Sequence, residues 1–231
     1  MSRLSTTLAV LAVAFFASAN IASAVTTTII DEEFTGGAQP TNTPLVTWSD
    51  SDGGSFETYS SGGAGVRDMN STYDHDQNGG TANITIPGGI EVNDDSGAAT
   101  LTATILLSDR LIAGSDLLTF FAGTRSATGP APTITITNMT DATTILAATT
   151  VTINANDNIW EFNSHSGLFT AADAGDTIKI DWFGGGTNSA NGLELADIEL
   201  TVETVPVPEP VSAGLCVLAM GSLMLRRRRA A

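Results

Sequence analysis

The chain has 231 residues, with 25 acidic side chains against 9 basic and a formal net charge of −16. Five of the basic residues sit near the two ends, so residues 25–205 hold 24 acids against four bases, about −20. A surface of that sign repels nucleic acid and anionic lipid headgroups and draws divalent cations, which excludes nucleic-acid binding as a function class.

The N-terminus reads as an export signal. Arg3 precedes an apolar run over residues 8–17, and the small-residue site Ala22-Ser23-Ala24 follows. The run is too short to span a membrane, and the order of basic, apolar and small residues is that of a cleavable secretory signal. The expected signal peptide is residues 1–24, a short helix, with Ala22 and Ala24 at the cleavage site. Position 25 is Val, so lipoprotein processing is not indicated. The one cysteine, Cys216, lies far from this region, and residues 25–205 have no disulfide framework.

Residues 25–205 are one domain's worth of chain. Period-two alternation dominates, as in Thr133-Ile134-Thr135-Ile136-Thr137 and Ile178-Lys179-Ile180-Asp181-Trp182. Residues 25–30, 83–86, 100–107, 117–121 and 143–153 read as further strands, with threonine suited to their solvated faces. Gly-rich turns such as Asp52-Gly53-Gly54 and Gly184-Gly185-Gly186 separate them. The expected fold is all-β, a two-sheet antiparallel β-sandwich of jelly-roll type. In the last strand Leu193 and Leu195 share one parity while Ile198, Leu200 and Val202 share the other. That phase slip across Ala196-Asp197 predicts a β-bulge that re-aims Asp197.

Several segments offer chemistry. Asp74-His75-Asp76-Gln77-Asn78-Gly79 has the spacing that points Asp74, Asp76 and Asn78 at one cation. The twelfth position is Thr85 rather than Glu, and Ile84 and Ile86 read as strand, so this is no EF-hand. A solvated turn is the alternative. His75 and His165 are the only histidines, and no nucleophile elbow, zinc-protease motif or phosphate loop occurs. The chain is therefore not expected to be an enzyme. A glycoside hydrolase stays open as an alternative, since no motif selects a carboxylate pair among so many acids. Sugar binding needs exposed aromatic platforms beside polar groups. Trp48 and Trp160 border loop-like stretches and are the candidate platforms, whereas Trp182 alternates with Ile178 and Ile180 and reads as core.

The ends of this domain resemble jelly-roll carbohydrate-binding modules and lectin-like sandwiches. The likeness lies in the acidic opening strand Ile30-Asp31-Glu32-Glu33-Phe34, the turn Ala174-Gly175-Asp176, the loop Asn191-Gly192 and the final strand Leu195-Ala196-Asp197-Ile198. The resemblance implies a polysaccharide ligand and a structural calcium ion held by Glu32 or Glu33 together with Asp197.

The tail, residues 206–231, changes composition: a Pro-rich spacer, an apolar segment over residues 211–225 and the cluster Arg226-Arg227-Arg228-Arg229. As a helix that segment reaches roughly 22 Å, short of a hydrocarbon core of about 30 Å, and its arginines would stay cytoplasmic. Val207-Pro208-Glu209-Pro210, a short transmembrane segment and a terminal Arg cluster resemble the PEP-CTERM sorting signal of Gram-negative bacteria. The resemblance implies recognition by an exosortase at the inner membrane, cleavage near Pro-Glu-Pro and release to the cell surface or exopolysaccharide matrix. Two roles follow as expectations: a module that binds polysaccharide, or a structural surface or matrix protein without a discrete ligand site.

Overall fold

A computed structural model describes residues 23–34, 40–51, 57–60, 73–76, 80–82, 88–92, 99–124, 131–153, 160–184 and 193–206, with backbone only at 57–60, 73–76, 80–82 and 124. One compact unit, Thr26–Thr204, holds the strands; the ends, Met1–Val25 and Val205–Ala231, form the other. Ala22 and residues 207–231 lie outside the described residues, as do both expected terminal helices, while Ala24 is exposed just before the first strand. Among the described residues no helix is long and apolar enough to cross a membrane.

Thirteen strands are described: β1 Val25–Glu32, β2 Val46–Asp50, β3 Glu57–Ser60, β4 Tyr73–Asp76, β5 Gly80–Ala82, β6 Gly88–Glu91, β7 Thr100–Leu106, β8 Leu117–Thr124, β9 Thr133–Asn138, β10 Thr143–Thr150, β11 Trp160–Ser166, β12 Thr177–Phe183 and β13 Leu193–Thr204. They build an eight-stranded sheet, β3-β6-β13-β8-β11-β4-β5 with β1 also on β13, and a five-stranded sheet, β10-β9-β12-β7-β2. From β6 onward the chain crosses repeatedly between the two sheets, so most sequence neighbours are not sheet neighbours. This is the all-β sandwich expected from the alternating pattern. β4 runs parallel to β11, whereas the neighbours along β3-β6-β13-β8-β11, along β4-β5 and along β10-β9-β12-β7-β2 are antiparallel.

The alternation sets the core. Leu101, Ala103 and Ile105 of β7, Ile134 and Ile136 of β9, and Ile178, Ile180 and Trp182 of β12 all point inward and are buried. Opposite them lie Leu118, Phe120 and Ala122 of β8 and Leu195, Ile198 and Leu200 of β13. Phe120 meets Trp182 edge-on at 5.9 Å between ring centroids, joining the layers through aromatic contact, and Trp48 stacks on Trp182 at 6.1 Å within the same sheet.

The predicted slip in the last strand is present. The β13–β8 register shifts between Ala196 and Glu199, and Asp197 sits at φ 47°, a left-handed conformation that Asp tolerates better than most residues.

Polar side chains tie down the turns at one end. Thr170 and Asp173 form a capping box around the single-turn 3-10 helix Ala171–Asp173. Burial pushes the Asp173 carboxyl up, but the Thr170 N–H, the Asn138 side chain and the Thr170 hydroxyl outweigh it and hold it below 3.8. Gly175 follows at φ 84°, where a side chain would be strained. Buried Asp116 accepts the N–H groups of Leu168 (2.8 Å) and Phe169 (3.0 Å), fixing the turn after β11.

Candidate functional site

The outer face of the five-stranded sheet is assembled by strand parity. Trp182 and the isoleucines of β12 go inward, so Thr177, Lys179, Asp181 and Phe183 go outward. Phe183 is flanked in register by Thr100 of β7 and Thr133 of β9, Asp181 by Thr102 and Thr135, and Lys179 by Thr104 and Thr137. Three cross-strand rows result, nearly all hydroxyl, with one carboxylate, one ammonium and one aromatic ring. The Thr102 hydroxyl donates to Asp181 Oδ1 at 2.7 Å, and Lys179 Nζ pairs with Asp181 Oδ2 at 2.7 Å. The charged pair is thereby held flat, leaving Phe183, 37% exposed, as the apolar feature beside it. An apolar ring next to oriented hydroxyls and charges suits a pyranose, whose faces are apolar and whose rim is hydroxyl.

Neither tryptophan proposed as a platform lies at this face. Trp48, 7% exposed, points inward from β2 and stacks on Trp182; Trp160, 2% exposed, heads β11 in register with Tyr73. Both are enclosed by packing and present no ring to a ligand, which corrects the sugar-platform expectation for Trp48 and Trp160. Phe183 follows from parity alone, since the inward placement of Trp182 obliges its neighbour to face out.

The outer face of the larger sheet is also chemically unusual. Phe121 and Phe162 pack at 5.4 Å there, and Glu91 and Glu194 are register partners on β6 and β13. All but Phe162 are buried, so this aromatic–carboxylate row is part of the packed structure.

The acidic candidates separate. Glu32 accepts the Thr41 N–H at 2.8 Å. Burial raises its pKa above 4.5, the Thr41 bond opposes that, and Asp31 adds to it; the Trp48 N–H also steadies the charged form, though that contact falls short of hydrogen-bond geometry. Glu33, with Glu199 and Asp31, surrounds Asp197 instead. Burial first, then those three charges, raise the Asp197 carboxyl above 3.8. So Glu33, and not Glu32, shares the environment of Asp197. Oxygen donors of this kind suit calcium, but among the described residues no three acidic, His or Cys side chains converge closely enough to hold a metal ion. The residues present form an acidic rim and not a preformed cage. Asp74 and Asp76 lie on β4, where Asp76 pairs with Gly80, and Asn78 lies outside the described residues. His165 rests on the core side against Phe120 at 6.1 Å, and burial lowers its pKa below 6.5.

The crowding at Asp197 has a testable sign. Its folded pKa is raised, so the neutral form's contribution is present at low pH and is lost as pH rises from 3.8 through the folded value. Asp197→Asn keeps a residue tolerant of positive φ and removes the charge. Thermal melts should show the variant more stable at pH 7, by about 0.5 kcal/mol for a partly solvated contact. The difference should shrink as the pH falls through the folded value and vanish well below 3.8, where the carboxyl is protonated in both states; an advantage independent of pH would assign it to something other than charge.

No protein-family model and no curated protein matches this chain. Solved structures resemble it distantly. The xylan-binding CBM22-1 domain of Paenibacillus barcinonensis Xyn10C is 10% identical with a TM-score of 0.42, covering 80% of this chain and 99% of that one. The K3 adhesin domain of Lys-gingipain from Porphyromonas gingivalis is 14% identical with a TM-score of 0.41, covering 77% and 99%. Against the enzymatically active domain of bacteriophage CBA120 tailspike protein 4 the identity is 11% and the TM-score 0.40; this chain spans only 20% of that one's length. Carbohydrate-binding modules recur among these neighbours, including the C-terminal CBM6 of LamC from Zobellia galactanivorans at 11% identity and a TM-score of 0.38. The sandwich architecture stands on this chain's own strand order.

Proposed function

We propose that this chain is an exported surface or matrix protein whose β-sandwich holds polysaccharide on the outer face of its five-stranded sheet. The carrying observation is Phe183, exposed between Thr100 and Thr133 and beside the fixed Lys179–Asp181–Thr102 cluster. The role is binding and not catalytic. Export by the N-terminal signal, transient anchoring in the inner membrane and exosortase cleavage near Val207-Pro208-Glu209-Pro210 complete the reading. Mass spectrometry of the surface-released protein should then find the Arg226–Arg229 cluster missing; an intact C-terminus would refute the sorting step.

Binding is read by affinity electrophoresis through gels containing bacterial exopolysaccharides and plant glucans. The protein should be retarded by at least one of them. Phe183→Ala should weaken retention about tenfold, the loss of one stacked ring worth about 1.4 kcal/mol, with an unchanged circular-dichroism spectrum. A second reading, a structural matrix protein without a glycan site, draws on the same threonine-covered face. It gains if no glycan retards the chain although the chain still incorporates into matrix.

Calcium enters this reading as a loosely held counter-ion of the Glu33–Asp197 rim, quenching the repulsion that adds to burial in raising the Asp197 carboxyl. Millimolar calcium should raise the melting midpoint of the wild type and leave Asp197→Asn nearly unmoved. Equal midpoints with calcium and with chelator would remove the metal from the account.

A further inference from the structure

Exposed apolar side chains gather at one end of the sandwich. Within Thr26–Thr204, five large apolar side chains are exposed among the described residues: Leu45, Leu106, Leu117, Met139 and Phe183. The first four share one end. Leu106 closes β7, its N–H donates to the Leu45 carbonyl at 3.1 Å, and Thr177 lies opposite it on β12. The Met139 N–H donates to the Thr177 carbonyl at 2.8 Å, so Leu45, Leu106, Thr177 and Met139 form one cross-strand row on the outer face. Leu117 opens β8 in the other sheet, in register with Thr201 of β13. Beyond Leu106 the chain turns, and Leu111 bridges Thr204 at the end of β13. The row therefore borders the point at which the chain leaves the folded unit. Phe183 pairs with Thr100 at the far end of β7, about 20 Å away along the strands.

Apolar side chains exposed together at one end of so acidic a domain mark a contact surface. Chain length says what meets it. Only residues 205–210, three of them proline, separate Thr204 from the apolar segment 211–225. Extended, that spacer reaches about 20 Å, so a bilayer holding the segment lies within reach of this end. We propose that, while the tail is anchored, the Leu45–Leu106–Met139 row and Leu117 rest on the membrane surface and stand the sandwich end-on to it. The inference rests on the proposed anchoring by the tail. Zwitterionic headgroups suit this end better than anionic ones: Arg110 pairs with Asp109 at 3.8 Å, and the exposed Asp141 adds negative charge. Four side chains would not hold the domain to lipid from solution. The tether does, by raising the effective concentration of membrane beside them. Cleavage near Pro208-Glu209-Pro210 removes the tether and with it the contact, so sorting also releases the domain. Until then Phe183 stands at the end remote from the bilayer.

Quenching by lipid is the test. The full-length chain carries Cys216→Ala and a single bimane on Asp109→Cys, a position whose side chain is 83% exposed at the apolar end. It is reconstituted into phosphatidylcholine vesicles containing lipid with nitroxide-labelled headgroups. The label should be strongly quenched, and a label on Phe183→Cys at the far end should keep nearly all its emission. Leu106→Ser combined with Met139→Ser should cut the quenching of the Asp109→Cys label about threefold or more, with flotation on the vesicles unchanged. Equal quenching at both ends, or quenching indifferent to the two serines, overturns the proposal. Should the double substitution lower the melting midpoint, Leu45→Ser carries the same comparison on the same row. A chain that does not float with the vesicles overturns the anchoring by the tail and this inference together. One that floats but fails the serine comparison overturns this inference alone.

Discussion

Trp182→Ala should cost about 3–5 kcal/mol of folding stability, the range for removing a large buried aromatic. Trp182 is wholly buried in the central strand of the five-stranded sheet and touches both layers: Trp48 by stacking within its own sheet, Phe120 edge-on across the core. Truncation leaves a void framed by two rings on rigid strands, so the site cannot collapse to fill it. Urea unfolding reads the loss as a lower midpoint with an unchanged slope. Trp182→Phe should cost only about 1 kcal/mol. It keeps most of the ring contact and deletes the indole N–H, which is buried without a hydrogen-bond partner. A loss below about 1 kcal/mol in Trp182→Ala would mean the layers are joined elsewhere.

How far the fold is legible in the sequence depends on whether burial and polarity agree. β9 and β12 alternate threonine or charge with isoleucine, and the structure has the same faces in and out. The slip around Asp197 is legible for the same reason, since a bulge shifts parity by one and leaves an apolar trace on each side. β11 runs the other way. Its inner side carries Glu161, Asn163 and His165, register partners of the core residues Ala122, Phe120 and Leu118, while Trp160 and Phe162 take the outer side. A rule that sends apolar residues inward reads that strand on the wrong face or not at all. β2 is only Val46-Thr47-Trp48-Ser49-Asp50, too short for its period to stand out against the turn residues after it.

The site is legible in the same uneven way. The acidity of the opening strand is visible, but Glu32 and Glu33 lie at a strand end where Phe34 turns to φ 50°, so parity does not choose between them. Their partners do: Thr41 takes Glu32, and Asp197 shares its surroundings with Glu33. Phe183 needs only the inward placement of Trp182 to be found. The enclosure of Trp48 and Trp160 is tertiary, set by strands distant in sequence, and loop-like neighbours give no sign of it.

Asn138→Ala should be nearly as damaging as the core truncation, at about 2–4 kcal/mol, although it removes few atoms. Asn138 closes β9 and is fully buried. Its Nδ2 donates to Asp173 Oδ1 at 2.9 Å and to Asp176 Oδ2 at 2.8 Å, while its Oδ1 accepts the N–H groups of Thr140 and Asp141. One side chain thus joins the β9–β10 turn to the capping box before β12. Without it the buried Asp173 carboxylate loses a donor that helps to keep it ionised. Asn138→Asp should be worse still at pH 7, since it sets a third carboxylate against two others. Acidification should then recover part of the Asp variant's loss, because protonating the new carboxyl restores a donor and removes the repulsion. The alanine variant should show no such recovery. Unfolding curves at pH 7 and pH 4 for both variants decide the matter: if Asn138→Asp is the milder of the two at pH 7, the side chain is not a charge-sensitive tie.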